Sequence, residues 1–400
     1  MRILDSGDPS FTATRAQAVK FGPAQVDWET RVDFVALREY RLARTRAAME
    51  KHNLDFLLSI RLENGRYISG CKRLYWPTLT LAGGPVIMLP REGHMSIGVI
   101  DTDMQSKALS WIPADRFREP RRMEVAHEVV AYAKELRELF GNALDNATIG
   151  VDLWSPAMFE VLPKEFPNAK FVDGQTAMLD ARAIKSPDEI ACMKMAYAIA
   201  EAGMYDAVQA LRPGIRECEL VGIAFNKFWQ LGAETSQCSH AINSGPGSEP
   251  YRRFHPDRIS QYGEIVNIDL GACWNGYFSD FCRPFVCGMK PSTRQLDLFK
   301  TAYEKQVEGL NAIKPGLSVG EVCKSLGRKA LGHSIGMGPL DPPMLHSTWD
   351  DVLQPGMTFS VYTPHLGELG VGGIHIEDEV VITKTGCEVY STFPVFGIDE

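Results

Sequence analysis

Residues 264–284 have the sequence EIVNIDLGACWNGYFSDFCRP. The pair Asn275-Gly276 is the strongest short signal for a two-residue hairpin turn, and strand-forming residues flank it on both sides. A turn at this pair places Asp269 directly opposite Cys282 on the neighbouring strand. The segment therefore predicts two antiparallel strands joined by a tight turn.

The same hairpin brings two carboxylates together. In the predicted register Asp269 and Asp280 point to the same face, about 7–8 Å apart or less. Two carboxylates on one face repel each other unless a cation, a proton or an arginine lies between them. The pattern therefore indicates either a cation site or a pair of solvated acids near a turn.

Two further segments carry residues that can bind a metal ion. The stretch LGHSIGMGPLDPP (331–343) places His333 among glycines, and GGIHIEDEVVIT (372–383) is predicted as a strand in which His375 and Glu377 project to one side. Either feature alone is usually structural. Together with the two aspartates, they supply nitrogen and oxygen ligands that suit a first-row divalent metal.

Composition limits the class of protein. The chain has 400 residues, of which 45% are hydrophobic and 23% are charged, so it is globular rather than disordered and long enough for at least two domains. The net charge of −8 argues against a nucleic-acid partner, and no stretch resembles a membrane span or a signal peptide. Nine cysteines without a C-x-x-C motif favour reduced thiols, so we expect a cytoplasmic protein.

The chain has three predicted parts. An irregular N-terminal segment covers residues 1–34, and alternating strands and helices predict an α/β domain over residues 35–178. Ser186 and Glu189 form a capping box with Pro187 between them, which marks the start of a long helix. This helix opens the second domain, residues 179–400.

The order and spacing of these motifs resemble the pita-bread metallopeptidase family, which contains aminopeptidase P, prolidase, methionine aminopeptidase and creatinase. The similarity spans about residues 35–395. It implies an α/β N-terminal domain and an α+β pita-bread catalytic domain, with Asp269, Asp280, His333 and Glu377 as metal ligands. The matching segments are NIDLG, GYFSDFCRPF, GHSIG, LQPGMTFSV (353–361), IEDEVVIT, RAIKSPDEI (182–190) and NGRYISG (64–70).

Several positions depart from the family's pattern. Tyr362 stands where the family has the first of two ligand glutamates, and Leu340 stands where a catalytic histidine is expected, seven positions after His333. His375 replaces a usual arginine. Without a bridging carboxylate and a catalytic histidine, an ordinary peptidase is not expected. The resemblance then implies one divalent metal ion, Mn, Fe or Zn, or a metal-independent site.

Two branches of this fold do not hydrolyse peptides, namely creatinase and the lyases of dimethylsulfoniopropionate. Both act on small zwitterions. The sequence is therefore interpreted as a carbon–sulfur lyase that cleaves dimethylsulfoniopropionate, or a similar onium carboxylate, by β-elimination to dimethyl sulfide and acrylate. The alternatives are a creatinase-like hydrolase of a small C–N substrate, an Xaa-Pro aminopeptidase-like hydrolase and a non-catalytic binding protein.

Each role in this interpretation has candidate residues. The candidate catalytic groups are Tyr362, Asp341 and His375, with Tyr362 or Asp341 as the base. A homodimer is expected by resemblance, in which an N-terminal loop enters the partner's site. The resemblance also implies a substrate-binding histidine at the position of Arg252, which His255 replaces if the register is shifted. The candidate substrate-binding residues are therefore Arg252, for a carboxylate, or His255, together with Trp274 and Tyr277 for the cationic head unless they pack in the core, and Tyr75 and Trp76 from the partner subunit.

Overall fold

The computed structural model describes residues 32–71, 84–100, 106–237, 240–251 and 254–395. The chain divides into two compact units, Met1–Arg182 and Ala183–Glu400. Three of the predicted substrate-binding residues and most of the predicted N-terminal segment lie outside the described residues. These three residues are Tyr75, Trp76 and Arg252.

The first unit contains a six-stranded mixed sheet. Its strands are β1 (Phe56–Ser59), β2 (Val86–Pro90), β3 (Ser96–Gly98), β4 (Phe117–Arg118), β5 (Thr148–Val151) and β6 (Lys170–Asp173). Its helices are α1 (Phe34–Lys51), α2 (Leu62–Ser69), α3 (Ala126–Phe140), α4 (Pro156–Glu165) and α5 (Gln175–Ala183). The strand order is β4-β3-β2-β1-β5-β6, in which β1 pairs antiparallel with β2 and parallel with β5.

The spacing of hydrophobic residues along the strands and helices explains how the core of this unit forms. Every residue of β1 is buried, as expected for a central strand covered on both faces. Helix α3 buries Val129, Tyr132, Ala133 and Leu136, whose spacing follows one face of a helix. These side chains pack in one core with Leu58 and other strand residues. The predicted α/β class is confirmed for this unit.

The second unit contains the larger sheet. Its helices are α6 (Pro187–Ala210), α7 (Glu217–Gln230), α8 (Thr293–Ala312) and α9 (Val319–Ser325). Its strands are β7 (Thr235–Ser236), β8 (Ala241–Ser244), β9 (Ile265–Leu270), β10 (Ala272–Trp274), β11 (Tyr277–Phe278), β12 (Phe281–Val286), β13 (Ala330–Ser334), β14 (Asp341–His346), β15 (Thr358–Tyr362), β16 (Leu366–Glu368), β17 (Gly372–Ile374), β18 (Glu377–Ile382) and β19 (Cys387–Val389). The main sheet is antiparallel in the order β14-β13-β15-β18-β12-β9-β8, with β19 paired to β18.

The predicted hairpin is present with the predicted register. Cys282 pairs with Asp269, and Trp274 pairs with Tyr277 on either side of the turn. Asn275 and Gly276 have φ values of 48° and 83°, which are the left-handed conformations that a type I′ turn requires. The turn chemistry therefore fixes which side chains of β9 and β12 share a face.

The long helix α6 begins as its sequence predicts. Ser186 accepts a hydrogen bond from the Glu189 backbone N–H, while the Glu189 carboxylate accepts one from the Ser186 backbone N–H at 2.8 Å. Pro187 occupies the first helical position, where no N–H partner is lost. Among the described residues, none of the helices is both long enough and apolar enough to cross a membrane.

The strand predicted over residues 372–383 is broken at its centre. Strand β17 pairs with β16 in a small sheet, whereas β18 joins the main sheet, and His375 and Ile376 lie between them. Side chains bind the backbone at this break, since Asn267 Oδ1 accepts from the His375 N–H at 3.1 Å and Thr363 Oγ1 accepts from the Ile376 N–H at 3.2 Å. The break leaves His375 facing the same cavity as Glu377.

Candidate metal centre

The candidate site is a cavity at the main sheet of the second unit, with a volume of ≈ 300 Å³ that includes space open to solvent. The four predicted metal ligands and His375 all line it, although they come from separate parts of the sequence. The lining residues are Gln237, Tyr251, Asp269, Asp280, His333, Leu340, Tyr362, His375 and Glu377.

Strand pairing explains why these side chains meet. Cys282 on β12 is paired on one side with Asp269 of β9 and on the other with Glu377 of β18. Glu377 is in turn paired with Tyr362 of β15. Directly paired residues project to the same face of an antiparallel sheet, so one row of four strands delivers three polar side chains to the cavity. Asp280 lies two residues before Cys282 and reaches the same face.

The ligand-type residues form two groups of three that share Glu377. One group contains Asp280, His333 and Glu377, and the other contains Asp269, His375 and Glu377. In each group the ligand atoms lie within 4.8 Å of one another, and all five residues are buried. Ligand atoms held about 2.1 Å from one ion are separated by roughly 3.0–4.2 Å, so both groups have dimensions that fit a divalent metal.

The hydrogen bond of His333 favours a cation in the first group. Its Nδ1 lies 3.1 Å from the carbonyl oxygen of Ser334, which can only accept, so Nδ1 carries the proton. The Nε2 atom then faces Asp280 Oδ2 at 3.5 Å and Glu377 Oε1 at 3.9 Å. A neutral imidazole would direct a lone pair at two carboxylates, so the arrangement requires either a bound metal ion or an additional proton within this group.

Glu377 is placed to serve both groups. Its Oε1 accepts a hydrogen bond from Ser360 Oγ at 2.6 Å, and its Oε2 lies 3.3 Å from His375 Nε2. Burial alone would raise the pKa of Glu377, but the hydrogen bond and charge of His375, together with His333 and Ser360, lower it to about 2. Glu377 is therefore an ionised carboxylate, the form that binds metals.

Asp269 has an oxygen without a protein partner. The Tyr251 hydroxyl donates to Asp269 Oδ2, whereas the buried Oδ1 has no hydrogen-bond partner within the described part of the chain. Burial, and then the charges of Asp280 and Glu377, raise the pKa of Asp269 well above its usual value. A buried oxygen in this situation is destabilising unless a cation or a proton satisfies it, and a bound metal ion would do so.

Two positions that depart from the resembled family's pattern, Tyr362 and Leu340, both line the cavity. Tyr362 lies at its edge with its ring centroid 5.7 Å from that of His375, and Leu340 contributes an apolar wall. Asp341, the neighbour of Leu340, accepts a hydrogen bond from the Gly338 N–H at 3.2 Å and is not among the lining residues. Asp341 is thus held by a loop contact, whereas Tyr362 faces the candidate metal ligands.

Three other predicted substrate-binding residues lie elsewhere in the second unit. Tyr277 is fully buried and donates its hydroxyl to Glu189 Oε1 at 2.7 Å, and Trp274 is paired with it at the hairpin turn. The Nδ1 atom of His255 lies 2.8 Å from the His240 carbonyl oxygen. None of the three is among the lining residues of the cavity.

Sequence inspection overlooked one cavity residue and undervalued another. Gln237 donates a side-chain N–H to Asp280 Oδ2, although it belongs to no motif. Tyr251 stacks on His375 with centroids 4.6 Å apart and an interplanar angle of 20°. The sequence indicates Tyr251 only as one of several aromatic residues near the motifs that could surround a cationic group.

Known proteins that resemble this chain include metallopeptidases, in agreement with a candidate metal site. Residues 191–384 match the model of Metallopeptidase family M24, and residues 41–184 match the Creatinase/Prolidase N-terminal domain. The Xaa-Pro dipeptidase of Pyrococcus horikoshii is 26% identical over 354 residues, which cover 85% of this chain and 93% of the relative. The Xaa-Pro dipeptidase of Lactobacillus helveticus is 28% identical over 302 residues, or 70% of this chain and 82% of the relative.

Solved structures confirm the predicted fold class. The prolidase from Pyrococcus horikoshii has a TM-score of 0.74 and 24% identity, and the match covers 90% of this chain and 99% of that one. The Xaa-Pro dipeptidase from Bacillus anthracis also has a TM-score of 0.74, with 23% identity over 89% of this chain and 98% of that one. A creatinase-type N-terminal domain followed by a pita-bread domain is therefore the architecture of this chain.

These comparisons overturn the lyase interpretation. The relatives named above are Xaa-Pro dipeptidases and a prolidase, which are peptide hydrolases and not carbon–sulfur lyases. The prediction of dimethylsulfoniopropionate cleavage by β-elimination is thus wrong, and the Xaa-Pro hydrolase alternative has the better support. The error came from treating the changes at Tyr362 and Leu340 as the loss of peptide chemistry, although a metal-binding group without either residue remains in place.

Proposed function

This chain belongs to the pita-bread family of creatinase, aminopeptidase P and prolidase, and on this basis we propose that it is a divalent-metal-dependent hydrolase of the Xaa-Pro bond in small peptides. The observation that carries the proposal is the group of Asp280, His333 and Glu377 inside a small cavity. Two carboxylates and an imidazole are a ligand set suited to Mn, Fe or Zn.

The residues around the metal position have separate roles in the proposed hydrolysis. Asp280, His333 and Glu377 would hold a divalent ion, which would supply Lewis-acid polarisation of the scissile carbonyl and activation of water. Ser360 orients Glu377, and Gln237 orients Asp280, so that each carboxylate presents a fixed oxygen to the centre. Such fixed partners limit the rearrangement that the ligands need during the reaction.

Tyr362 takes over a polar role at the edge of the cavity. Its side chain lines the cavity from β15, on the strand next to Glu377. We assign its hydroxyl to a hydrogen bond with the oxygen of the tetrahedral transition state, the task of an oxyanion donor. Leu340 cannot donate a proton, and its apolar wall suits the proline ring of the substrate.

The names of the relatives favour short substrates. The relatives from Pyrococcus horikoshii and Lactobacillus helveticus are both Xaa-Pro dipeptidases. We therefore favour dipeptides that end in proline, the substrate class in the names of the relatives.

A substrate panel tests this proposal. The purified chain is incubated with Mn²⁺, Co²⁺ or Zn²⁺ and with Ala-Pro, Ala-Ala, Ala-Pro-Ala or creatine, and free amino acids, sarcosine and urea are quantified. Cleavage of Ala-Pro above the other compounds is expected, and Asp280→Asn should abolish it. Asp297→Asn on the exposed face of α8 is the matched control and should retain activity. Cleavage of creatine alone, or no loss in Asp280→Asn, would contradict the proposal.

A further inference from the structure

The family resemblance implies an arginine at position 375, yet the surroundings of His375 are those of a metal ligand. The residue is buried, and its Nε2 atom is 3.3 Å from Glu377 Oε2. Asp269 completes a group of three whose ligand atoms lie within 4.8 Å of one another. A histidine can bind a metal through this nitrogen, which an arginine cannot do.

We propose that His375 is a metal ligand and that the chain binds a second divalent ion between Asp269, His375 and Glu377. Glu377 belongs to both groups, so it would be shared between this ion and one held by Asp280 and His333. The inference deepens the proposed function, because it specifies the metal content of the same site, but it makes no assumption about the substrate.

The clearest support comes from Asp269. Its Oδ1 atom is buried and has no hydrogen-bond partner among the residues that the structure describes, while Tyr251 occupies Oδ2. Tyr251 also stacks on the His375 ring at 4.6 Å, so a single side chain holds both candidate ligands in place. Metal ligands are commonly fixed in this way by neighbours that do not touch the metal.

The two oxygens of Glu377 are already divided between the groups. Oε1 lies 3.9 Å from His333 Nε2, and Oε2 lies 3.3 Å from His375 Nε2. A carboxylate with one oxygen on each side has the arrangement of a bridging ligand, and paired catalytic metals lie about 3.5–4 Å apart. No movement of Glu377 from one group to the other is therefore needed.

Charge permits a second ion. The absence of a carboxylate at Tyr362 predicted a single metal, because two cations would lack compensation. Asp269, Asp280 and Glu377 together with two divalent ions leave one net positive charge, which a hydroxide ion or the carboxylate of a substrate balances. In this account an imidazole replaces the ligand that is missing at Tyr362, and the number of protein ligands remains five.

The competing explanation is that His375 is a protonated partner of Glu377 and binds no metal. The variant His375→Arg separates the two, because it keeps a positive charge beside Glu377 and removes the metal-binding nitrogen. His365→Gln is the matched control, since His365 pairs with Glu249 and is not among the lining residues of the cavity. The effect of either variant on metal binding can be interpreted without knowledge of the substrate.

The experiment measures metal binding directly. Metal-free wild type and the two variants are titrated with Co²⁺, the bound metal is quantified after gel filtration, and the exchangeable N–H signals of coordinated histidines are counted in paramagnetic proton NMR spectra. Wild type and His365→Gln should bind two ions and show two such signals. His375→Arg should bind one ion and show one signal, with the second affinity weakened by at least about 100-fold.

The outcome separates this inference from the proposed function. Wild type with one ion, or with two ions and a single histidine signal, overturns the inference without any variant having to fold. Two ions bound by His375→Arg with unchanged affinity also overturns it. If two ions bind through His375 but no Xaa-Pro peptide is cleaved, the inference stands and the proposed function fails.

Discussion

Tyr362 lies directly opposite Glu377 in the antiparallel pairing of β15 with β18. Directly paired residues share a face of the sheet, so the phenol is delivered to the cavity by the same strand pairing that positions the carboxylate. The hydrogen bonds of the strands, and not a flexible loop, fix this relationship. A change at Tyr362 can therefore be interpreted as a change in chemistry at a fixed position.

Replacing Tyr362 by phenylalanine should slow catalysis. Tyr362→Phe keeps the ring and removes the hydroxyl assigned to the transition state, so kcat for Ala-Pro should fall by about 10²–10³ while KM changes little. Steady-state kinetics measure both constants. Tyr262→Phe is the matched control, because Tyr262 is 67% exposed. An equal effect in both variants, or an unchanged kcat for Tyr362→Phe, would refute the assignment.

Replacing Tyr251 by phenylalanine should weaken metal binding. Tyr251→Phe preserves the stack on His375 but removes the hydroxyl that donates to Asp269 Oδ2. Loss of such a supporting hydrogen bond typically lowers metal affinity by about 10–100-fold. Competition with a chelating dye measures this affinity, and Tyr205→Phe, on an exposed residue of α6, serves as the control. Wild-type affinity in Tyr251→Phe would show that the hydroxyl does not support Asp269 as a ligand.

The ion pair of Arg283 and Asp378 should contribute strongly to stability. Arg283 donates to Asp378 Oδ1 at 2.6 Å, and both side chains are buried. Asp378→Asn leaves the guanidinium without its counter-charge, so the free energy of unfolding should fall by about 3–5 kcal/mol. Urea unfolding measures this. Glu388→Gln, which removes an exposed pair with Lys194, should cost less than about 1 kcal/mol.

If Asp378→Asn and Glu388→Gln lowered the free energy of unfolding by similar amounts, the buried pair would not have the expected stabilising effect. Arg283 also donates to the backbone oxygen of Glu377 at 2.7 Å. We therefore expect Asp378→Asn to weaken metal binding as well as stability, whereas Glu388→Gln should leave metal binding unchanged.

The pair of Glu264 and Arg258 should give a pH-dependent part of the stability. Burial would raise the pKa of Glu264, but hydrogen bonds from Arg258 and the Gln261 N–H lower it below its ordinary value of 4.5. A carboxyl group with a lowered folded-state pKa stabilises the fold above its unfolded-state pKa, and this contribution is lost as the pH falls through the folded-state pKa. The stability difference between wild type and Glu264→Gln should therefore be constant above about pH 5 and shrink in more acidic solution. If the stability difference between wild type and Glu264→Gln grew as the pH fell, the pKa of Glu264 would not be lowered in the folded state.

Local chemistry made much of the second unit predictable. The left-handed residues Asn275 and Gly276 set the hairpin register, and this register alone placed Asp269 and Asp280 on one face. Ser186 and Glu189 likewise fixed the start of α6. These features depend on residues that are close in sequence, and a pattern of neighbouring residue types is enough to specify them.

Contacts between distant segments were not predictable in the same way. The hydrogen bond from Gln237 to Asp280, and the stack of Tyr251 on His375, depend on how strands and loops meet in space. The break at His375 depends on Asn267 and Thr363. Their side chains, which are not adjacent to the break in sequence, accept the hydrogen bonds that a neighbouring strand would otherwise accept. Without these contacts, Tyr362 is interpreted as the sign of a different reaction, whereas the structure shows four other ligand-type side chains grouped around Glu377.

In the proposed function, a metal ion bound by Asp280, His333 and Glu377 drives cleavage of an Xaa-Pro bond. The initial rate of Ala-Pro cleavage by chelator-stripped protein, measured as Mn²⁺ is restored and with bound metal quantified at each point, tests this role of the metal. We expect no detectable cleavage by the stripped protein and a rate that rises with bound metal. Full activity of the stripped protein, or no cleavage when the metal is bound, would refute the proposed function.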